Sequence, residues 1–311
     1  VYNICNAIFT SLGDSRTPLY FLIASSLGNI ALDVVFVAIF GWGVAGVAWA
    51  TFVAQGIASV LAFVVLLRRL SCLKTDNDEK VPIYSKSMLA HISRIAVPSI
   101  IQQSFVSVGN IFIQSLINGY GSATVAGYSA AVKVNTFCIT SFTSMCNGLS
   151  SYTAQNIGAR KLKRVIMGYK SALVMVLGTC AVLTAICIIF SDSLVRLFMN
   201  SPSDTAIETG KGFLLITSPF YFSVATKLTT DAVLKGGGAM SSFMVTTFSD
   251  LIIRVVMAYI LSSFLGTYGI WLSWPVGWVI SAAISLALYF VGTWRPKYAR
   301  HHKHTHISDE C

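Results

Sequence analysis

Asn29 and Asp33 stand four residues apart inside Phe21–Phe40, a largely apolar run long enough to cross a bilayer. Residues at i and i+4 share one helix face, so the amide and the carboxylate project together. A carboxylate at the centre of such a run costs at least about 2.5–3.5 kcal/mol to insert, and it marks a functional site by default. Asp33 lies eight residues before Gly41, and Thr51 lies eight residues after Gly43 on the returning run. At 1.5 Å per residue both sit about 12 Å below the intervening turn. A carboxylate, an amide and a hydroxyl at one depth suit a proton or a hard monovalent cation such as Na⁺. The same three groups also suit a hydrogen bond that pins two helices, and both readings stay open on spacing alone.

A second polar face runs through Gln103, Ser107, Asn110 and Gln114, at spacings of four, three and four, against an Ile- and Val-rich opposite side. Such a face lines a watery substrate cavity or joins two helices. Further charges lie in later apolar runs. Lys133 either faces that cavity or snorkels to the outer interface. Lys227 with Asp231, and Asp250 with Arg254, are i, i+4 couples expected to pair, and pairing lowers the cost of inserting them. Asp231 is in addition a candidate proton carrier. Pro98 and Pro275 are candidate kinks near the starts of their runs. The seven cysteines are scattered without a CxxC pair, so neither a disulfide framework nor a metal site is expected. The tail holds His301, His302, His304 and His306 without partner carboxylates in a fixed frame, and is expected to be a solvated cytoplasmic segment. No nucleophile–base or metal constellation occurs at membrane depth, which argues against an enzyme.

The elements that must hold these groups follow from composition. The chain has 311 residues, 55% hydrophobic and 11% charged, against about 25% charged in soluble domains. It is therefore an all-α integral membrane protein, since helices satisfy their own backbones in lipid. Apolar runs at 17–40, 44–67, 93–118, 124–151, 166–190, 211–234, 241–264 and 267–293 give eight spans, after a partial one that ends near Leu12. Most of the 22 Lys and Arg fall in alternate linkers and in the tail, which places these, and the C-terminus, in the cytoplasm. The net charge of +10 is thus a topology signal, and no nucleic-acid partner is expected.

The segment from Ala7 through Gly46 and the segment from Ala232 through Ile270 share one plan: a span end, a Gly-containing turn, a long span, a Gly outer turn and another span. They run in the same direction about 225 residues apart, the parallel kind of repeat found in two-lobed transporters. The expected organisation is residues 1–70 as the remainder of a first lobe, 71–91 as a linker, 92–295 as a six-span second lobe and 296–311 as the tail. By symmetry about three spans would precede Val1.

Several stretches resemble one family: Gly13-Asp14-Ser15-Arg16-Thr17-Pro18, Asn29-IAL-Asp33 and Gly43-VAGVAWA-Thr51 in the first part, then Ala130-AVKVNTF, Gln155-NIGARK and Leu234-KGGG. In order and spacing they look like the multidrug and toxic compound extrusion family, in its prokaryotic DNA-damage-inducible-like branch. The resemblance implies a twelve-span, two-lobed bundle that exports cationic or amphipathic compounds by alternating access in exchange for H⁺ or Na⁺. In that branch a matching Asn, Asp and Thr form a first-lobe cation site with a further Asp on span one, which implies the cation role for Asn29, Asp33 and Thr51. Another subgroup uses a Glu for Na⁺ on the span matching 93–118, where this chain has no acidic residue.

The expected function is a cation-coupled exporter of small molecules, acting as a monomer in the plasma membrane of a prokaryote with no cofactor beyond its coupling ion. The alternatives are a lipid-linked oligosaccharide flippase, which needs a strongly cationic cavity, and a product without transport activity.

Overall fold

The computed structural model describes residues 1–72, 84–199 and 203–296, without the side chain of His91. Lys74 and Lys80 of the linker, and the His-rich tail from Lys297, lie outside the described residues. Every element described is helical, and the residues form two compact units, Val1–Tyr84 and Ser85–Cys311.

The first unit holds α1 (Tyr2–Ser11), α2 (Arg16–Asp33) and α3 (Gly43–Ser71). Gly13 takes φ +84° to turn the chain after α1, a conformation open to Gly because it lacks Cβ. Asp14 then caps α2: its Oδ1 accepts from the Arg16 and Thr17 amides at 3.1 Å each, and its Oδ2 from the Thr17 hydroxyl at 2.8 Å. These bonds, the Thr17 amide foremost, hold the carboxyl below its ordinary value of 3.8. The cap's stabilisation is therefore complete at neutral pH and is lost only as pH falls through that lowered value. Along α3 the residues Gly46, Ala50, Ala54, Ala58, Ala62 and Leu66 are buried. This small-residue stripe at every fourth position lets neighbouring helices approach closely. Cys5 and Phe9 of α1 pack on Ala62 and Leu66.

The sequence reading gave one unbroken helix over 17–40. Instead α2 ends at Asp33 and a π-helical segment, Val34–Ile39, follows at once. The Phe40 amide reaches back to the Val35 carbonyl at 3.0 Å, and the Trp42 amide to the Phe36 carbonyl at 3.0 Å. The widened turn accompanies an aromatic cluster of Phe36, Phe40 and Trp42, with ring centroids 5.2–6.2 Å apart. Single π turns inside α-helices recur at functional sites, and this one begins at the residue after the partly buried Asp33.

The second unit holds α4 (Lys86–Asn118), α5 (Ser122–Gly158), α6 (Leu162–Ile189), the short α7 (Ser191–Arg196), α8 (Asp204–Thr217), α9 (Tyr221–Gly236), α10 (Met240–Leu265) and α11 (Thr267–Val291). Pro98 and Pro275 lie inside α4 and α11. The expected span 211–234 is interrupted by a 3₁₀ turn, Ser218–Phe220, containing Pro219, which the sequence reading did not single out. Proline has no amide to continue the α ladder, so α8 and α9 are joined half-spans.

Among the described residues, six helical segments are long and apolar enough to cross a membrane: Arg16–Ile39, Gly43–Ser71, Lys86–Asn118, Leu162–Ile189, Met240–Leu265 and Thr267–Val291. Of the eight expected spans, α5 and the α8–α9 pair fall outside that set. The break at Pro219 shortens the pair. Meanwhile α5 buries Thr124, Asn135, Thr153 and Asn156, polar groups that face protein and so need no lipid-compatible character.

The core around α5 is aromatic. The ring of Tyr128 stacks on Trp271 at 5.2 Å, and Phe213 sets its edge against both Trp271 and Trp274. Beside it α5 crosses α8 at Gly127 and Gly210. A Cβ on Gly127 would overlap the Ala206 carbonyl oxygen, with the Ala206 carbonyl carbon at 2.9 Å, and one on Gly210 would lie 2.9 Å from the Gly127 carbonyl oxygen. Backbone cannot step aside as a side chain can. Gly127→Val is therefore expected to destabilise the second unit by about 1–3 kcal/mol or more, read as a fall in the detergent melting temperature. Gly148→Val has nothing within 4 Å of the added Cβ and should melt like the parent.

Candidate transport cavity and cation site

In the first unit the turn at Gly41 and Gly43, both at positive φ, folds α3 back along α2. Asn29 and Thr51 meet there: the Asn29 Nδ2 donates to the Thr51 Oγ1 at 3.3 Å. Asp33 lies one turn further along α2, partly buried, and its Oδ1 is enclosed without a hydrogen-bond partner. A buried carboxylate oxygen left unpaired carries a desolvation penalty that a cation or proton would relieve. The amide and hydroxyl are thus joined directly, while the carboxylate lies one turn away on α2 with no hydrogen bond to either.

The second unit holds an open cavity of about 580 Å³ between α4, α5, α9, α10 and α11. Gln103, Asn110 and Gln114 of the expected polar face line it, as does Gln102, whose Nε2 donates to the Thr247 Oγ1 on α10 at 3.3 Å. Ser107 does not line it. That side chain is exposed and its hydroxyl donates to the Gln103 carbonyl of its own helix at 3.1 Å, the back-bonding that short hydroxylated side chains favour. Lys133 is likewise outside the lining. It is exposed, with its Nζ 5.7 Å from the ring centre of Phe198 just beyond α7.

Lys227, Asp231, Asp250 and Arg254 all line the cavity. The Lys227 Nζ stands 2.9 Å from the Asp231 Oδ2, and both residues are buried. The other Asp231 oxygen accepts from the Thr246 hydroxyl of α10 at 3.0 Å and the Ser285 hydroxyl of α11 at 2.7 Å. Asp231 therefore ties three helices at one point. The expected pairing of Asp250 with Arg254 is not formed. No ion pair joins them, and the Asp250 Oδ1 and the Arg254 Nε are buried without partners. The reason lies on α11. The Arg254 guanidinium stacks on the Trp274 ring at 4.5 Å, and the Asp250 carboxylate sits against the bare backbone of Gly277.

Two further contributors were missed in the sequence. The first is a polar stripe on α5, Thr136, Thr140, Thr143, Asn147 and Ser150, which lines the opposite wall. Its spacing of four, three, four and three carries the same signal as the face on α4, but Thr and Ser pass as ordinary residues in an apolar run. The second is the tryptophan pair Trp274 and Trp278, for which periodicity gave no sign. Among the described residues no three His, Cys, Asp or Glu come together to hold a metal ion.

The comparisons with known proteins agree with this architecture. The MatE family model matches residues 98–260. The probable multidrug resistance protein YpnP of Bacillus subtilis is 26% identical over 94% of this chain and 65% of its own length. The probable multidrug resistance protein YoeA of the same organism is 28% identical over 92% and 63%. A solved structure described as the outward-facing conformation of a multidrug resistance MATE family transporter of the MOP superfamily superposes with a TM-score of 0.84, at 23% identity, over 94% of this chain and 65% of its own. The chain thus spans about two thirds of the length of these relatives. With a match over more than half its length and the same all-helical membrane fold, the chain belongs to the MatE family.

Proposed function

We propose that this protein is a secondary active antiporter that exports drugs or other cationic and amphipathic compounds by alternating access, in exchange for H⁺ or Na⁺. The observation that carries the reading is the cavity: a half-polar space of about 580 Å³ between membrane helices, with charged side chains on one wall and tryptophans beside them. A site of that size, combining aromatic surface with placed polar groups, suits a drug-sized molecule. The names of the two Bacillus relatives point the same way. Asn29, Asp33 and Thr51 are the proposed coupling site, and the orphaned Asp33 oxygen supports that role. The protein is proposed to act without catalysis, as a monomer in the plasma membrane with its C-terminus in the cytoplasm. The flippase alternative fares less well, because two carboxylates sit among the cations of the cavity wall.

The test is dye accumulation in energised bacteria lacking their own efflux pumps. Expression is expected to lower the accumulation of a fluorescent organic cation, and dissipating the ion gradients should remove the effect. Liposomes carrying a proton gradient or a sodium gradient alone then identify the coupling ion. Unchanged accumulation in energised cells with verified membrane insertion overturns the proposal.

A further inference from the structure

Asp250 and Arg254 line the cavity wall without an ion pair to any described residue. Lys227 and Asp231 neutralise each other, and Lys235 lies with its Nζ 5.9 Å from the ring centre of Phe243. Arg254 is 7% exposed, lines the cavity, and makes no hydrogen bond to any described residue. Trp274 packs its ring 4.5 Å from the guanidinium carbon, and the terminal N–H groups have no hydrogen-bond partner among the described residues and are left to a ligand. Asp250 presents a carboxylate one turn earlier on the same helix, also without a hydrogen-bond partner. A buried guanidinium demands an acceptor and a buried carboxylate demands a donor. Because neither satisfies the other, one ligand carrying both complementary groups satisfies both.

We infer that the cavity takes amphoteric molecules, with an anionic group of the carboxylate class on Arg254 and an ammonium or N–H group on Asp250. The two residues are four apart, or about 6 Å along α10. The two charges of the ligand are therefore separated by several bonds, with the apolar body between them lying against Trp274 and Trp278. A simple organic cation satisfies Asp250 and leaves Arg254 bare, so the cavity ranks an amphoteric molecule above a cation of the same shape. This inference rests on the cavity being the substrate site and adds the substrate's charge pattern.

The experiment uses the purified protein in lipid nanodiscs and three fluorescent probes on one coumarin core. The first carries an ammonium and a carboxylate at opposite ends, the second is its methyl ester, and the third is its N-acetyl derivative. The amphoteric probe is expected to bind about tenfold or more tighter than the ester, the worth of one charge-assisted contact. Arg254→Gln should erase that preference while leaving the ester's affinity within about twofold of the parent's. Arg254→Lys, which keeps the charge but loses the planar fork, should retain part of the preference and guards against misfolding as the cause. Asp250→Asn should weaken the amphoteric probe and the ester but not the N-acetyl form. Equal binding of all three probes, reduced alike by Asn110→Trp filling the cavity, overturns the amphoteric inference and leaves the cavity as the substrate site. Absence of any binding overturns both readings, as does binding that Asn110→Trp does not touch. A uniform loss of all three probes in Arg254→Gln assigns Arg254 to structure and also overturns the inference.

Discussion

Asp33→Asn is expected to abolish gradient-driven efflux while the protein still inserts and folds. The substitution keeps the shape of the side chain and removes its charge. An amide cannot take up a proton near neutral pH, and it is a poor ligand for a lone monovalent cation compared with a carboxylate. A ligand moves a conformational equilibrium only by its differential affinity for the two states, so a site that no longer binds the ion no longer couples it. The enclosed, unpaired Oδ1 of Asp33 makes the effect large. The variant should lose at least about tenfold of its ion-coupled transport rate and should accumulate dye like cells carrying an empty vector. Because asparagine is neutral, the variant also avoids the desolvation cost of a buried charge. The melting temperature in detergent should therefore stay level or rise, which separates lost coupling from lost folding. Wild-type efflux by Asp33→Asn would exclude Asp33 as the coupling carboxylate. Thr51→Val, which breaks the 3.3 Å bond from Asn29, should weaken coupling less, because the charged oxygen remains.

The second large effect is on stability and comes from the other unit. Lys227→Met leaves Asp231, 2% exposed, without its cation. Removing one partner of a buried ion pair costs about 3–5 kcal/mol, because the survivor is a buried uncompensated charge. Two hydroxyls still donate to the Asp231 Oδ1, but they cannot neutralise it. The melting temperature in detergent is expected to fall steeply. The double variant Lys227→Met/Asp231→Leu should recover most of it, since an apolar pair of similar volume replaces a buried ion pair at little or no cost. The hydroxyl of Thr246 also has the Phe243 carbonyl of its own helix at 2.8 Å to fall back on. If the double variant melts as low as the single one, the two charges are not energetically coupled across the 2.9 Å contact.

Fold class and most helix positions were legible in the sequence because both rest on local quantities. Apolar runs of bilayer length must become helices, and Gly13, Gly41 and Gly43 mark turns that need positive φ. The meeting of Asn29 with Thr51 was legible for the same reason: one tight turn joins two antiparallel helices, so equal counts from it give equal depth. The Lys227–Asp231 pair sits within one helix and followed from i, i+4 spacing. Where spacing failed, a second helix had intervened. Asp250 and Arg254 have the same spacing as Lys227 and Asp231 and do not pair, because Trp274 and Gly277 on α11 offer a stacking face and a gap that draw the two side chains apart. The π segment after Asp33 and the break at Pro219 were hidden in apolar runs, where hydropathy does not report how the backbone bonds.

By itself, then, the sequence determined a helical membrane bundle, the family to which it belongs, and the meeting of Asn29 with Thr51 across one turn. These follow from lipid thickness, backbone hydrogen bonding and chain geometry within one or two adjacent helices. Tertiary structure alone decided that Gln103, Asn110 and Gln114 share a cavity with the Thr and Asn stripe of α5, and that Asp231 is tied into three helices. It likewise decided that Asp250 and Arg254 stay unpaired. The physical reason is that a charge buried in a bundle is satisfied by whichever helix packs against it, and packing partners far apart in sequence leave no mark on local spacing.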